Sequence, residues 1–118
     1  MPSPRGAAGA ADRIDLWYAF EKRAGSPGLL RQYHSLLVAD ELERWNSLVR
    51  ERDRRLFVIS RALLRTTLSR YAPIDPQAWR FAAGPEGKPE IAGPLGLPPL
   101  RFSLTHTAGL VACAVALD

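Results

Sequence analysis

Apolar residues along the chain fall into runs of different period, and each run predicts an element. IDLWYAF, residues 14–20, mixes β-branched and aromatic residues and predicts a first strand. Gly25-Ser26-Pro27-Gly28 follows as a loop. Further on, Asp40 with Glu43 three residues later resembles a capping box. It predicts a helix carrying Leu42, Trp45, Leu48 and Val49 on one side. From Arg52 to Tyr71 the helical period is clearest. Leu56, Ser60, Leu63, Leu64, Thr67 and Tyr71 recur at spacings of three and four. Arg54, Arg61 and Arg65 share another stripe, so one face is expected to pack and another to present guanidinium groups. Pro73 stops this helix, and Asp75-Pro76 marks the next turn.

The last third reads as short strands. WRFAA, residues 79–83, predicts a strand, GPEGKPEI a turn, and IAGPLGLPPL an irregular stretch rich in proline and glycine. RFSLTHT and LVACAVAL predict a hairpin turning at Ala108-Gly109, with His106 placed in the turn region. No internal repeat, heptad pattern or low-complexity tract is present.

Length then sets the scale. The chain has 118 residues, enough for one domain with one core. Its opening, MPSPRGAAGAADR, reads as a loose tail over residues 1–13 without the apolar segment of a signal peptide. No apolar run is long enough to span a bilayer. The single cysteine, Cys113, lies in an apolar run, and its simplest reading is a small buried strand residue. Together these features predict a cytoplasmic protein with no membrane partner.

Charge sharpens the picture. The net charge is +4, and only Lys22 and Lys88 are lysines. Seven arginines lie between Arg50 and Arg70, against Glu51 and Asp53. Such a cluster favours a phosphate-bearing partner, either nucleic acid or a phosphorylated small molecule; a solvated helix face is the plainer alternative. The acids among these basic residues read as intrahelical partners.

Candidate chemistry is narrow. There is no Cys/His cluster, no phosphate-binding G-x-x-x-x-G-K-[ST] loop and no G-x-S-x-G elbow. Three features remain: the arginine stripe, the EGKP turn and the T-H-T segment, each able to contact phosphate.

In this order the features resemble the N-terminal half of the Sfp-type phosphopantetheinyl transferases. IDLWYAF, DELERW, RDRRLFVISRALLRTTLSRY, WRF, PEGKPEI and FSLTHTAGLVACAVA carry the resemblance over residues 14–118. It implies an α+β subdomain, a small, mostly antiparallel sheet packed on one long helix and forming one half of a pseudo-twofold fold. It implies that His106 and Thr105 lie at the pyrophosphate of coenzyme A, that Lys88 faces the cofactor phosphates, and that Arg44 and a basic residue near Arg55 lie near the 3′-phosphate. Arg61 and Arg65 match the family's basic helix, with a structural role left open for one of them. Ser103, Thr105 and Thr107 stand where the family has Asn, Ser and Ser.

The implied activity is transfer of phosphopantetheine from coenzyme A to a serine of an acyl or peptidyl carrier protein. The family's magnesium-binding motif, G-[VI]-D-[VI]-E, and its later W-x-x-K-E-[AS] segment would lie past Asp118. The resemblance therefore implies a coenzyme A-binding half that is inactive alone, with no metal ligand or catalytic acid of its own. Magnesium is expected only with a complementing C-terminal half, and either that half or self-association is expected to cover a flank around Leu110–Val115. Two other readings remain open: a basic nucleic-acid-binding module using the arginine helix, which lacks a known nucleic-acid signature, and a non-catalytic interaction domain.

Overall fold

A computed structural model describes residues 13–96 and 99–117. All but one residue of the expected N-terminal tail falls outside the described residues.

Among the described residues, two antiparallel sheets and four α-helices, with two short 3-10 turns, make up the α+β fold. Strand β1, Ile14–Phe20, pairs with the last strand, β5, Leu110–Leu117. Strand β4, Leu100–Thr107, flanks β5 on its other side, giving the order β1-β5-β4. A shorter sheet joins β2, Arg80–Ala83, to β3, Pro89–Gly93. The hairpin β4–β5 turns at Ala108-Gly109, where Gly109 takes φ +81°, a conformation open to a residue without Cβ.

The long helix α4, Glu51–Leu68, lies on one face of the larger sheet. Its Leu64 and Leu68 meet Cys113 and Val115 of β5, while Trp79 closes the end of this core and donates from its indole N–H to Ser69 Oγ at 2.8 Å. A second cluster joins Leu56 and Ile59 of α4 to Val111 and to Ala24 in α1, Glu21–Ala24. Gly25, just after α1, passes against Arg55, and an added Cβ would meet the Glu21 carbonyl at 2.7 Å.

Several expectations need correction. The expected loop at residues 25–28 already contains the start of α2, Pro27–His34, with proline at its first position, where the missing N–H costs nothing. Helix α3, Ala39–Ser47, begins one residue before Asp40. Its capping carboxylate is Glu41, whose Oε1 accepts the Val38 N–H at 3.1 Å, and not Glu43. The last three residues of the expected GPEGKPEI turn already belong to strand β3, and Pro89 opens it where no ladder donor is needed. Thr105 and His106 stand inside β4, opposite Ala112 and Val111, and not in the turn.

The arginine stripe does not face water as one surface. Arg65 is 1% exposed and donates to Glu41 Oε1 at 2.9 Å and to the carbonyls of Pro76 and Trp79. Arg54 donates to the Leu48 carbonyl at 2.7 Å. These guanidiniums anchor loops to α4, because a buried peptide carbonyl needs a donor. The acids do the same: Glu41 and Glu21 pair with α4 arginines from other elements and not within a helix. Glu51 and Asp53 occupy the first turn of α4, where carboxylates complement the helix dipole.

The flank expected around Leu110–Val115 is also placed differently. Val111, Cys113 and Val115 belong to the core. On the larger sheet, bulky exposed side chains come from β1: Ile14, Leu16, Tyr18 and Phe20, at 69, 64, 57 and 53% exposure. They project from the sheet face opposite α4, beside Ala116, Ala114 and Ala112 of β5.

Candidate functional site

Helical and strand periods converge on one cavity. Asp53, Leu56, Phe57 and Ser60 recur at three- and four-residue spacing and form a stripe of α4. Leu104 and His106, two apart on β4, share the strand face turned toward α4. Arg44 comes from the last turn of α3. These groups, with Leu48, Arg61 and Thr105, enclose about 270 Å³. β4 is an edge strand, so a cavity beside it takes residues of both strand faces, and Thr105 joins His106 there.

Arg61 lines this cavity and also a second one of about 490 Å³, which extends past Glu41 to Gly87 and Pro89 in the β2–β3 hairpin. Burial holds the Arg61 guanidinium below its ordinary pKa, opposed by the Glu41 carboxylate. Their closest approach is 3.9 Å, from Arg61 Nε to Glu41 Oε2. That oxygen is buried and accepts no hydrogen bond.

Three of the five sequence-predicted residues therefore meet: Arg44, Thr105 and His106. The other two do not line their cavity. Lys88 is exposed at the tip of the hairpin, beside a separate groove of about 550 Å³ that includes Arg101. Arg55 lies on another side of α4 and pairs with Glu21, Nη2 to Oε2, at 3.1 Å. Sequence reasoning did not single out Asp53, Phe57, Ser60 or Leu104. A signal was available for two of them: Leu104 is two residues from His106 on the strand, and Phe57 is one helical turn from Arg61.

This donor set suits an anion. Guanidinium, imidazole and hydroxyl groups supply hydrogen-bond donors to phosphate oxygens. A hard cation such as magnesium needs several oxygen ligands. Among the described residues Asp53 is the sole carboxylate lining the cavity, and the neighbouring Glu41 is committed to Arg65. The residues present thus do not fit a magnesium site. Among the described residues no group of three or more His, Cys, Asp or Glu could hold a metal. Burial pushes the Cys113 thiol up to about 12, leaving no thiolate nucleophile near neutral pH.

Comparison with known proteins gives the geometry a context. No protein-family model matches the chain. It is 30% identical over 115 residues to the 4′-phosphopantetheinyl transferase HetI of Nostoc sp., covering 98% of this chain and 48% of that protein. It is 34% identical over 76 residues to a putative 4′-phosphopantetheinyl transferase of Synechocystis sp., covering 64% of this chain and 29% of the relative. The chain thus spans about half the length, or less, of these curated relatives. The fold is that of the holo-(acyl-carrier-protein) synthases. A Bacillus anthracis structure in complex with coenzyme A (3′,5′-ADP) matches with TM-score 0.69 at 16% identity, over 88% of this chain and 93% of that one. A Helicobacter pylori structure in complex with coenzyme A matches with TM-score 0.64 at 12% identity, over 90% of this chain and all of the other.

Proposed function

We propose that this chain is the coenzyme A-binding half of an Sfp-type phosphopantetheinyl transferase, acting with a complementing C-terminal half on a serine of an acyl or peptidyl carrier protein. The observation that carries the reading is the meeting of Arg44, Thr105 and His106, from distant parts of the chain, in one cavity. In this reading Arg44 holds the 3′-phosphate of the cofactor. The Thr105 hydroxyl and a His106 ring N–H donate to the pyrophosphate. Arg61, bridging the two cavities, adds charge between these groups. Lys88 reaches the cofactor phosphates from the hairpin tip.

The reaction breaks the bond between the β-phosphorus and the oxygen leading to adenosine 3′,5′-bisphosphate. The carrier serine Oγ forms the new bond and loses its proton. Negative charge builds on the leaving oxygens, and fixed donors beside them stabilise that change. This chain's residues bind and orient the phosphates. Because its donor set does not fit magnesium, any metal belongs to residues of the other half.

The exposed row of β1 is the surface assigned to that half. Curated relatives are at least twice the length matched here, and a bulky row beside an alanine trough offers a ridge and a groove to a second sheet. The test is calorimetric titration with coenzyme A and dephospho-coenzyme A. Coenzyme A binds more tightly, by about tenfold or more, the worth of one charge-assisted hydrogen bond to the 3′-phosphate. Arg44→Ala shrinks that difference. Equal binding of the two ligands by the unmutated chain removes the reading.

A further inference from the structure

Another cavity, more than twice the volume of the one holding His106, lies elsewhere among the described residues. It encloses about 650 Å³ between α2, the connection after α3, and the start of α4. It shares no lining residue with the His106 cavity. Its floor is apolar: Val58 is buried and Leu30 half-buried. Its wall is the Trp45 indole, met edge-on by His34 at 4.7 Å between ring centres and covered by the Arg54 guanidinium at 4.6 Å. Arg54 is fixed by hydrogen bonds to the carbonyls of Leu48 and Asn46, so the indole and its cation are locked before any ligand arrives. At the rim, Val49 is 93% exposed.

Charge around this cavity is unbalanced. Arg31, Arg54 and Arg55 face one lining acid, Glu51. Glu21 answers Arg55, whereas no ion pair to Arg31 is formed among the described residues. A site with apolar floor, aromatic wall and surplus guanidinium selects a particular chemistry. We propose that it is a second ligand site, distinct from the coenzyme A cavity, for a small flat apolar group carrying one anionic head, whether carboxylate, sulfonate or phosphate monoester. The volume lies in the range of ordinary small-molecule pockets, roughly 300–1,000 Å³. The flat group lies against Val58, Leu30 and the indole, and covers Val49. The head meets Arg31, whose planar fork matches an oxyanion.

The probe is 1-naphthyl phosphate, with 1-naphthol and inorganic phosphate as its two halves, each titrated calorimetrically into the chain. The whole probe is expected to bind at least about tenfold more tightly than either half, because a charge-assisted hydrogen bond and the ring's burial are combined. Arg31→Glu and Val49→Asp each weaken it about tenfold or more. Both positions are exposed, so folding is preserved, and a circular dichroism melt checks this. Saturating coenzyme A leaves the probe bound, and His106→Ala does not change its affinity. Binding that ignores Arg31→Glu and Val49→Asp, or that coenzyme A displaces, overturns the proposal. A chain that binds naphthyl phosphate in an Arg31-dependent way yet ignores coenzyme A refutes the proposed transferase reading and leaves this site standing.

Discussion

The three-stranded sheet has two faces built from the same strands, and they have opposite fates. Toward α4 it presents Trp17, Phe102, Leu104, Val111, Cys113 and Val115, and the chain's own helix and loops cover most of them. Away from α4 it presents Ile14, Leu16, Tyr18 and Phe20, then three alanines, then Ser103, Thr105 and Thr107. Alternation on a strand normally separates apolar from polar residues. Here β5 is apolar on both faces, and β1 is too except at Asp15, which accepts from Tyr71; this is the pattern of strands meant to be covered twice. One covering is present among the described residues. The difference shows that the apolar count of a strand reports how many partners it needs.

The comparison breaks first under mutation of the two faces in the isolated chain. Leu64→Ala empties space at a side chain with no exposure, and its expected cost is about 2–5 kcal/mol in chemical denaturation. Leu16→Ala on the open face is expected to change stability by about 0.5 kcal/mol or less. Equal effects at the two positions would show that the open face is already covered. Leu16→Arg sharpens the point. It is expected to leave the isolated chain folded while abolishing association with a complementing half in sedimentation velocity, because a charge buried unpaired in an interface is costly. Unchanged association after Leu16→Arg places the interface elsewhere.

These faces also explain what the sequence could disclose. β1, α4 and the β4–β5 hairpin were legible because each has a strong local period, of 2 or 3.6. The branched and aromatic residues of β1 marked it as a strand but could not say that one of its faces stays open. The fate of Arg65 was not legible: its partner Glu41 lies far away in sequence, and a guanidinium spaced like its exposed neighbours carries no sign of burial. Helix α2 was hidden by Gly25 and Gly28, which read as loop, although Pro27 was a fair start signal. For the site, the meeting of Arg44 with Thr105 and His106 came from the resemblance and not from spacing. His106 was misplaced into a turn because the threonines and Ala108-Gly109 shorten the apparent strand, whereas its ladder runs to Thr107.

His106 belongs by parity to the covered face, yet it lies near the strand's end and is exposed. It is therefore expected to behave as a ligand group rather than as core. His106→Ala should weaken coenzyme A binding about tenfold or more, the scale of removing one hydrogen bond to a charged group. The melting temperature should hold within a few degrees, about the effect of a surface substitution. Calorimetry and thermal melting on the same sample separate the two roles. A large drop in melting temperature with unchanged affinity would assign His106 to the core.

The smallest effect tests the faces through chemistry at one thiol. Cys113 looks toward α4, and burial raises its pKa from 9.0 to about 12. Its first consequence is low reactivity. In the native chain Cys113 should resist iodoacetamide at pH 8, while Leu16→Cys, introduced with Cys113→Ala, should react at the rate of an exposed thiol and become protected when the complementing half docks. The second consequence is a slope. Between pH 9 and 12 the unfolded chain has given up the thiol proton and the folded chain has not, so the unfolded state binds fewer protons and stability falls as pH rises. Tyr71 adds to this from a higher starting point. Burial first, and then its hydrogen bond to Asp15, lift it from 10.0 to about 12. The thiol's contribution is thus whole below pH 9, and between pH 9 and 10 it declines ahead of the tyrosine's. Cys113→Ala should flatten the curve in that interval, and Tyr71→Phe only above pH 10. Denaturant melts at half-unit steps from pH 8 to 11 measure both slopes, and an unchanged slope in Cys113→Ala would mean that the thiol is not shielded by the face on which the fold closes.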